Sequence, residues 1–317
     1  MNILVTGANG FVGKAICELG VKAGHNMIAC QRNITQRISA EIRLIPDIND
    51  ISSLVKAMDG CEVVIHLVAR THTIKDTSEN KLFDYRKINV MGTKAISNAA
   101  KQAKVRRVVF MSSIKVHGDQ NYKSAFTERS PIAPSDAYGT TKQEAETALR
   151  ELCDNSNIEW CILRPPLIYG PGVKGNFQSL IRLCDTPLPL PFGLVRNKRS
   201  IIGVNNLASA ALSAATHPNA VGKIFLVRDA EDISTTKLIK LIRSELGRPA
   251  CLVSIPPKLM NLGLTILGKR GTAIRLFGSL TINDSLIRNC LGWYPELDIN
   301  TVLKNTIKSW QRQNKII

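Results

Sequence analysis

The 317-residue chain, with 44% hydrophobic and 21% charged residues, is long and apolar enough for a large core, which excludes a disordered protein. Its formal net charge of +17 suits nucleic acid, anionic lipid or an acidic small substrate, but sparse aromatic residues and the lack of a recognition motif argue against nucleic acid. The eight cysteines form no Cys-x-x-Cys pair, so we expect reduced thiols and no metal site. No apolar run approaches the roughly 20 residues of a membrane span, and we expect a cytoplasmic protein.

The first 30 residues predict a strand, a glycine-rich turn, a helix and a second strand. Residues 2–6 form a short apolar run, apolar residues then recur at helical spacing up to residue 23, and residues 26–30 form the second run. In this order Gly7 permits the tight turn, Gly10 lets a phosphate approach the backbone, and Gly13 lets the helix pack close to the strand. The start of the helix offers free N–H groups to a pyrophosphate. The stretch therefore predicts a dinucleotide-binding unit.

Strands and helices keep alternating as far as residue 170, which is the pattern of a parallel, doubly wound sheet. We therefore expect an α/β fold with a Rossmann-type dinucleotide-binding domain over residues 1–170. Later segments lack this alternation and predict a smaller, mixed α/β substrate-binding domain over residues 171–317, with segments near 200–215 returning to the first domain. The further predicted strands are 41–45, 61–67, 108–111 and 159–163, and the helices are 51–58, 82–104, 138–152, 234–246 and 302–312.

The end of the second strand bears on the choice of cofactor. An acidic residue there would hold the ribose hydroxyls of NAD, but this chain has Gln31 followed by Arg32. Because a guanidinium attracts a 2′-phosphate, the pair favours NADP(H), with NAD as the alternative.

Three residues could carry proton-transfer chemistry. Tyr138 and Lys142 are four apart in a predicted helix, so they share a face, and the ammonium is expected to lower the pKa of the phenol. Ser113 follows a predicted strand and can donate a hydrogen bond to the same substrate oxygen. With a nicotinamide beside them, these side chains would interconvert a carbinol and a carbonyl.

These motifs occur together in an order that resembles the extended short-chain dehydrogenase/reductase superfamily, the NAD-dependent epimerase/dehydratase family. Segments 112–118 and 172–177 are further similar to bacterial reductases and epimerases that act at C4 of UDP-N-acetylhexosamines for surface polysaccharides. The pair that serves dehydration in the sugar-nucleotide dehydratases is replaced here by Ile114 and Lys115, so we expect no dehydratase activity. His117 stands where the family often has tyrosine.

The resemblance implies a role for each motif. Ser113, Tyr138 and Lys142 would be catalytic, and the substrate would be UDP-linked. Substrate contacts would come from Lys174, Asn176 and Arg199, the last on the nucleotide-sugar diphosphate. Contacts with the cofactor would come from Gly7, Gly10, Phe11, Val12, Gly13, Arg32, Asp47, Ile48, Leu67, Val68, Ala69, Asn89, Tyr138, Lys142 and Pro165.

Three functions fit these residues. The first is an NADPH-consuming reductase at C4 of a UDP-4-keto-6-deoxy-N-acetylhexosamine. The second is a 4-epimerase with retained NAD that acts on a UDP-sugar or a lipid-linked sugar. The third is a non-catalytic dinucleotide-sensing protein, which is disfavoured because the tyrosine and the lysine are both present. The first two share every catalytic group.

Two further expectations concern partners. The family forms homodimers through the helices predicted over residues 82–104 and 138–152. Residues 257–270 contain an apolar run that ends in Lys269 and Arg270. It predicts either a helix packed in the substrate-binding part or a surface helix at the inner membrane on anionic lipid.

Overall fold

The computed structural model describes residues 1–34, 39–71, 80–121 and 123–314. The strands of this part of the chain are β1 (Asn2–Thr6), β2 (Asn26–Gln31), β3 (Glu41–Leu44), β4 (Val63–His66), β5 (Arg107–Met111), β6 (Glu159–Arg164), β7 (Leu167–Tyr169), β8 (Ile201–Gly203) and β9 (Lys223–Leu226). The α-helices are α1 (Phe11–Lys22), α2 (Ile51–Ala57), α3 (Lys81–Arg86), α4 (Gly92–Gln102), α5 (Ala137–Asp154), α6 (Gly175–Cys184), α7 (Val204–Thr216), α8 (Thr235–Glu245), α9 (Pro257–Ile266), α10 (Arg270–Phe277), α11 (Ser285–Leu291) and α12 (Ile299–Asn314).

Seven strands form one sheet in the order β3-β2-β1-β4-β5-β6-β9, and every neighbouring pair is parallel. After β3 the chain returns to the middle of the sheet and continues from β4 in the opposite direction, so the switch point of this doubly wound fold lies between β1 and β4. The central strands are buried on both faces, so their sequences read as continuous apolar runs. The predicted Rossmann-type fold is confirmed.

Each face of the sheet carries its own apolar core. One core includes Ile16 of α1, Ala211 of α7 and Val109 of β5. The other includes Leu54 of α2, Ile96 of α4 and Leu149 of α5. These layers fix the strand ends against the starts of the helices, and that edge is where the site forms.

The rest of the chain forms a third core beside the sheet. Strands β7 and β8 pair in parallel, and Phe177 of α6, Ile239 of α8 and Leu303 of α12 pack together beside them. Helix α7 returns to pack on α1, and β9 supplies the seventh strand of the large sheet. We propose the predicted division into two domains, with β9 added to the first. Within the described residues, none of the helices combines the length and the apolar character needed to span a bilayer.

The predicted helix over residues 82–104 is interrupted. Helix α3 continues into a π-helical turn over Lys87–Met91, and α4 follows from Gly92. Such a turn holds one extra residue, and it often marks a functional site. Here it contains Asn89.

Candidate active site

The glycine-rich turn lies at the carboxyl end of β1. Gly7 has a φ of +70°, and the backbone N–H of Gly10 donates to its carbonyl oxygen over 2.9 Å. A Cβ on Gly13 would lie 2.4 Å from that same oxygen, so only glycine lets α1 begin so close to the turn.

The start of α1 is left without a side-chain cap. Gly10 occupies the capping position and offers no side-chain hydrogen bond, so the N–H groups around Phe11 and Val12 stay available at the positive end of the helix dipole. A close backbone approach and uncapped N–H groups are what a pyrophosphate requires. The turn therefore fits a dinucleotide.

Gln31 gives a second indication of a bound group. Its side chain is buried, 3% exposed, and neither of its amide atoms finds a hydrogen-bonding partner among the described residues. Arg32, next to it, is exposed. A buried amide without partners is costly, and a ligand that can both donate to it and accept from it, as two ribose hydroxyls can, would satisfy it.

The segment that follows β4 lies against the glycine-rich turn and forms the floor of the site. The backbone nitrogen of Val68 would lie 3.4 Å from a Cβ on Gly7, so the segment Leu67–Val68–Ala69 runs against the turn. Further along the edge, Asp47 is exposed and accepts a hydrogen bond from the backbone of Asn49, while Ile48 packs against the start of α4.

A buried chain of hydrogen bonds lies beneath this floor. The Oγ1 of Thr6 accepts from the backbone of Leu67 and lies 2.8 Å from Nδ1 of His66. His66 Nε2 lies 3.3 Å from Oγ1 of Thr93, which itself donates to the carbonyl of Asn89. The imidazole therefore donates through Nε2 and accepts at Nδ1. Burial lowers the pKa of His66 to about 3, so this histidine is neutral and structural.

Asn89 connects three segments from its place in the π-helical turn. Its Oδ1 accepts from the backbone N–H of Arg70 over 2.7 Å, and its Nδ2 donates to the carbonyl of Arg70 and to Oγ1 of Thr141. Asn89 is buried. It thus holds the segment after β4 against α5.

Ser113 and Tyr138 meet at the carboxyl end of β5. Asp136 caps α5 by accepting from the backbone of Gly139, which places Tyr138 in the first turn of that helix. Burial, and next the charge of Asp136, raise the pKa of Tyr138 to about 12, and a hydrogen bond from Ser113 opposes that rise. The four-residue spacing from Lys142 predicts a lower pKa, and this expectation is wrong for the site as it stands because burial and the charge of Asp136 raise the pKa.

Lys142 is fully buried one turn further along α5. Its Nζ lies 3.9 Å from the centre of the Phe110 ring, a cation–π contact that holds the ammonium under the sheet edge. Burial lowers the pKa of Lys142 to about 7, and the charge of Glu146, four residues on, acts in the opposite direction. The lysine can therefore change its charge near neutral pH.

Glu146 belongs to a buried network that the sequence does not reveal. Its carboxylate accepts from Oγ of Ser112 and from the guanidinium of Arg164. Arg164 also donates to Nε2 of His117, whose Nδ1 donates to the carbonyl of Pro131 over 3.0 Å. Both ring nitrogens of His117 are thus engaged, and burial lowers its pKa, which makes it a structural residue rather than a base.

The network fixes the loop that carries Ser113. The backbone N–H of Ile114 donates to the carbonyl of Pro165, so Pro165 is buried against this loop. Glu146 could have been singled out by its position four residues after Lys142. His117 and Arg164 come from distant segments, and no sequence spacing joins them.

The three predicted substrate residues lie in the part of the chain that follows β7. Lys174 and Asn176 are exposed at the start of α6. Arg199 is half-buried, and its guanidinium donates to the carbonyl of Gly278 at the end of α10 over 3.0 Å. Its remaining nitrogens are the part that could bind an anion. No group of three potential metal ligands occurs within the described ranges.

Comparisons with known proteins agree with this geometry. The model of the NAD dependent epimerase/dehydratase family matches residues 3–227. The chain is 34% identical over 316 residues to a UDP-glucose 4-epimerase of Vibrio cholerae, which covers 99% of this chain and 96% of that protein.

Two solved structures show the same fold. The UDP-glucose 4-epimerase of Thermotoga maritima with UDP-glucose has a TM-score of 0.80 and 21% identity, covering 99% of this chain and 100% of that one. The UDP-glucuronic acid 4-epimerase of Bacillus cereus in complex with NAD has a TM-score of 0.78 and 21% identity, covering 99% of each chain. Fold and site define an enzyme of the short-chain dehydrogenase/reductase superfamily. Within it, this chain belongs to the NAD dependent epimerase/dehydratase family.

Proposed function

We propose that this protein is a UDP-sugar 4-epimerase that retains NAD. The observation that supports oxidation and reduction at C4 of the sugar is the hydrogen-bonded pair Ser113 and Tyr138 at the sheet edge that also holds the glycine turn. This pair serves a reductase equally well. The Vibrio cholerae relative, matched along nearly the whole chain, favours the epimerase, whereas the sequence alone favours the reductase.

When bound, a nicotinamide dinucleotide would supply the hydride chemistry at C4 of the sugar, and the residues of this chain would hold it and move the proton. Ser113 Oγ donates to the oxygen on C4 and orients it. Tyr138 Oη gives a proton to that oxygen when the carbonyl is reduced, and its protonated state at neutral pH suits this step. The oxidative half needs Tyr138 as phenolate, so the phenol must first release its own proton to solvent. It would then accept the proton of the substrate hydroxyl, and the charged form of Lys142 would favour that phenolate.

We propose NAD as the cofactor, with its adenine-side ribose on Gln31. The amide of Gln31 can accept from one ribose hydroxyl and donate to the other, which would satisfy both of its unpartnered atoms. Gly7, Gly10, Phe11, Val12 and Gly13 would hold the pyrophosphate. Asp47 and Ile48 would face the adenine, and Leu67, Val68 and Ala69 would run beside the rest of the dinucleotide.

The fate of the hydride tests the proposal. UDP-glucose or UDP-N-acetylglucosamine carrying deuterium at C4 is incubated with the protein and no added cofactor. An epimerase converts it to the C4 epimer with deuterium retained and with no net change in absorbance at the NADH band. Absence of an epimer from either sugar, with NAD present, would contradict the proposal.

A reductase of a UDP-4-keto-6-deoxy-N-acetylhexosamine is the second candidate, and Arg32 is the observation that favours it. Its exposed guanidinium follows Gln31 and could bind a 2′-phosphate. A reductase would oxidise NADPH one-for-one with the keto sugar. In binding titrations Arg32→Asp would then weaken NADPH far more than NADH, whereas equal losses would assign Arg32 to the surface.

A further inference from the structure

Helix α9 presents an apolar stripe to solvent. Leu259, Leu262 and Ile266 stand at i, i+3 and i+7, which places them on one face, and they are 62%, 58% and 76% exposed. Leu267 directly after the helix is 69% exposed. None of the residues of α9 is buried. A helix packed in the substrate-binding part, one of the two alternatives from the sequence, would bury these apolar side chains.

The opposite face of α9 attaches the helix to the protein. Met260 is half-buried and packs against the third core, and Leu264 is half-buried on the same side. Helix α10 packs beside α9. The stripe is therefore presented on a helix that the third core supports, and its large apolar side chains are exposed on the outer side.

The charged residues of the chain segment that carries the stripe have one sign. The sequence contains no Asp or Glu between Glu245 and Asp284, although this segment includes α9 and α10. Its cations are Arg248, Lys258, Lys269, Arg270 and Arg275. Lys258, Lys269 and Arg270 are exposed at the two ends of the stripe. Apolar side chains flanked by lysine and arginine are the composition of helices that lie in a bilayer interface.

We propose that this face of α9 docks on the surface of an anionic lipid bilayer, with Leu259, Leu262, Ile266 and Leu267 inserted and the flanking cations on the lipid headgroups. The proposal does not depend on the sugar chemistry of the site. A second copy of the chain is a poorer occupant, because two such faces would bring like charges together on a protein of net charge +17. A bilayer supplies both an apolar layer and negative charge.

Vesicle flotation tests the proposal. The full-length protein is mixed with vesicles of phosphatidylcholine alone or with about one-quarter phosphatidylglycerol, at low and at high salt. We expect binding to the anionic vesicles that falls sharply at high salt, where the Debye length drops to a few ångströms. Weak or no binding is expected on the neutral vesicles.

Two variants separate the apolar and the charged contributions. Leu262→Gln/Ile266→Gln keeps good helix formers and should lower the partition coefficient about tenfold or more. Lys269→Gln/Arg270→Gln should lower it roughly tenfold and reduce the salt sensitivity. The matched control is Val21→Gln/Lys22→Gln, which changes an exposed apolar residue and an exposed cation at the end of α1 and should leave binding unchanged.

Other outcomes would overturn the proposal. Failure to bind anionic vesicles at low salt would do so, as would equal binding by the α9 variants and the wild type. A fall in molecular mass of the Leu262→Gln/Ile266→Gln variant, by sedimentation in the absence of lipid, would show that a second copy covers the stripe instead. Circular dichroism of each variant confirms that the fold is kept. A failed epimerase assay leaves these readouts unaffected.

Discussion

At the scale of single residues, the site depends on a phenol and an ammonium that the fold removes from water. Tyr138 is held protonated at neutral pH, with a pKa near 12, and burial brings the pKa of Lys142 down to about 7. These opposite shifts have the same cause, since burial penalises the charged form of each group. The protonation states of the two groups are therefore set by solvation first and by neighbouring charge second.

Tyr138→Phe should lower turnover about 10²–10⁴-fold, because it removes the proton donor without changing the shape of the helix. Ser113→Ala should lower turnover by a smaller factor, since it removes only one hydrogen bond to the same substrate oxygen. Tyr294→Phe, on an exposed tyrosine, is the matched control and should be silent. Initial rates on the epimerase substrate, with melting curves of each variant, check the expectation. Near-normal turnover in Tyr138→Phe would reject the assignment.

The buried Lys142 should also make the stability of the protein depend on pH. Between about pH 7 and pH 10.5 the unfolded chain keeps the proton of Lys142, while the folded chain has released it. Stability therefore rises with pH across this window, by at most about 1.4 kcal/mol per pH unit, relative to a variant without the group. Urea unfolding of wild type and Lys142→Met over this range measures the difference.

The exposed Lys22→Met is the control for that comparison. Its stability difference from the wild type should stay flat with pH. A flat difference for Lys142→Met as well would mean that the lysine is solvated in the folded protein.

At the scale of elements, the turn between β1 and α1 is the tightest fit in the site. Gly13→Ala would place a methyl group 2.4 Å from the carbonyl oxygen of Gly7 and 2.7 Å from Cα of Ala8, both of them backbone atoms. This steric clash is relieved only if α1 moves away from the turn. We therefore expect a loss of about 1–3 kcal/mol in stability and a tenfold or greater loss in NAD affinity. Gly263→Ala is the control, since a Cβ there meets nothing within 4 Å.

Calorimetric titration with NAD and thermal unfolding check the Gly13 prediction. Gly263 lies inside α9, where alanine favours the helix, so its variant should be at least as stable as the wild type. If Gly13→Ala keeps the NAD affinity and the stability of the wild type, the turn accommodates a methyl group and the pyrophosphate binds elsewhere.

The sequence predicts elements of this kind well, because a strand, a glycine turn and a helix follow each other within 30 residues. It also indicates Ser113, Tyr138 and Lys142, whose spacing reflects one helix and one strand end. It does not reveal the contact of Glu146 with Ser112 and Arg164, since three separate elements meet there. The pKa of Tyr138 is missed for a related reason, because burial is a property of the whole fold.

The interrupted helix over residues 81–102 shows the same limit. Apolar spacing predicts one continuous helix, but the π-helical turn at Lys87–Met91 follows from the hydrogen bonds of Asn89 to Arg70 and Thr141. Those partners are far apart in the chain. A local pattern gives the type of element, whereas tertiary contacts decide where it deforms.

At the scale of the whole molecule, two groups of large apolar side chains on the described helices are more than half exposed. One is the stripe on α9, and the other includes Phe83 of α3 and Met91 of the π-helical turn, which are 60% and 54% exposed. The second surface lies beside α5, to which it is tied by an ion pair between Arg86 and Glu144 at 2.6 Å. Helices α3, α4 and α5 are those through which the family is expected to dimerise.

We therefore predict a homodimer through this second surface. Phe83→Gln/Met91→Gln should convert a sedimenting dimer to a monomer, because each protomer loses two large apolar contacts near the centre of the interface. The equally exposed Leu262→Gln on α9 should leave the dimer intact. A dimer that survives the first pair of substitutions would place the interface elsewhere. Dissociation by Leu262→Gln would instead assign the contact between the two copies to α9.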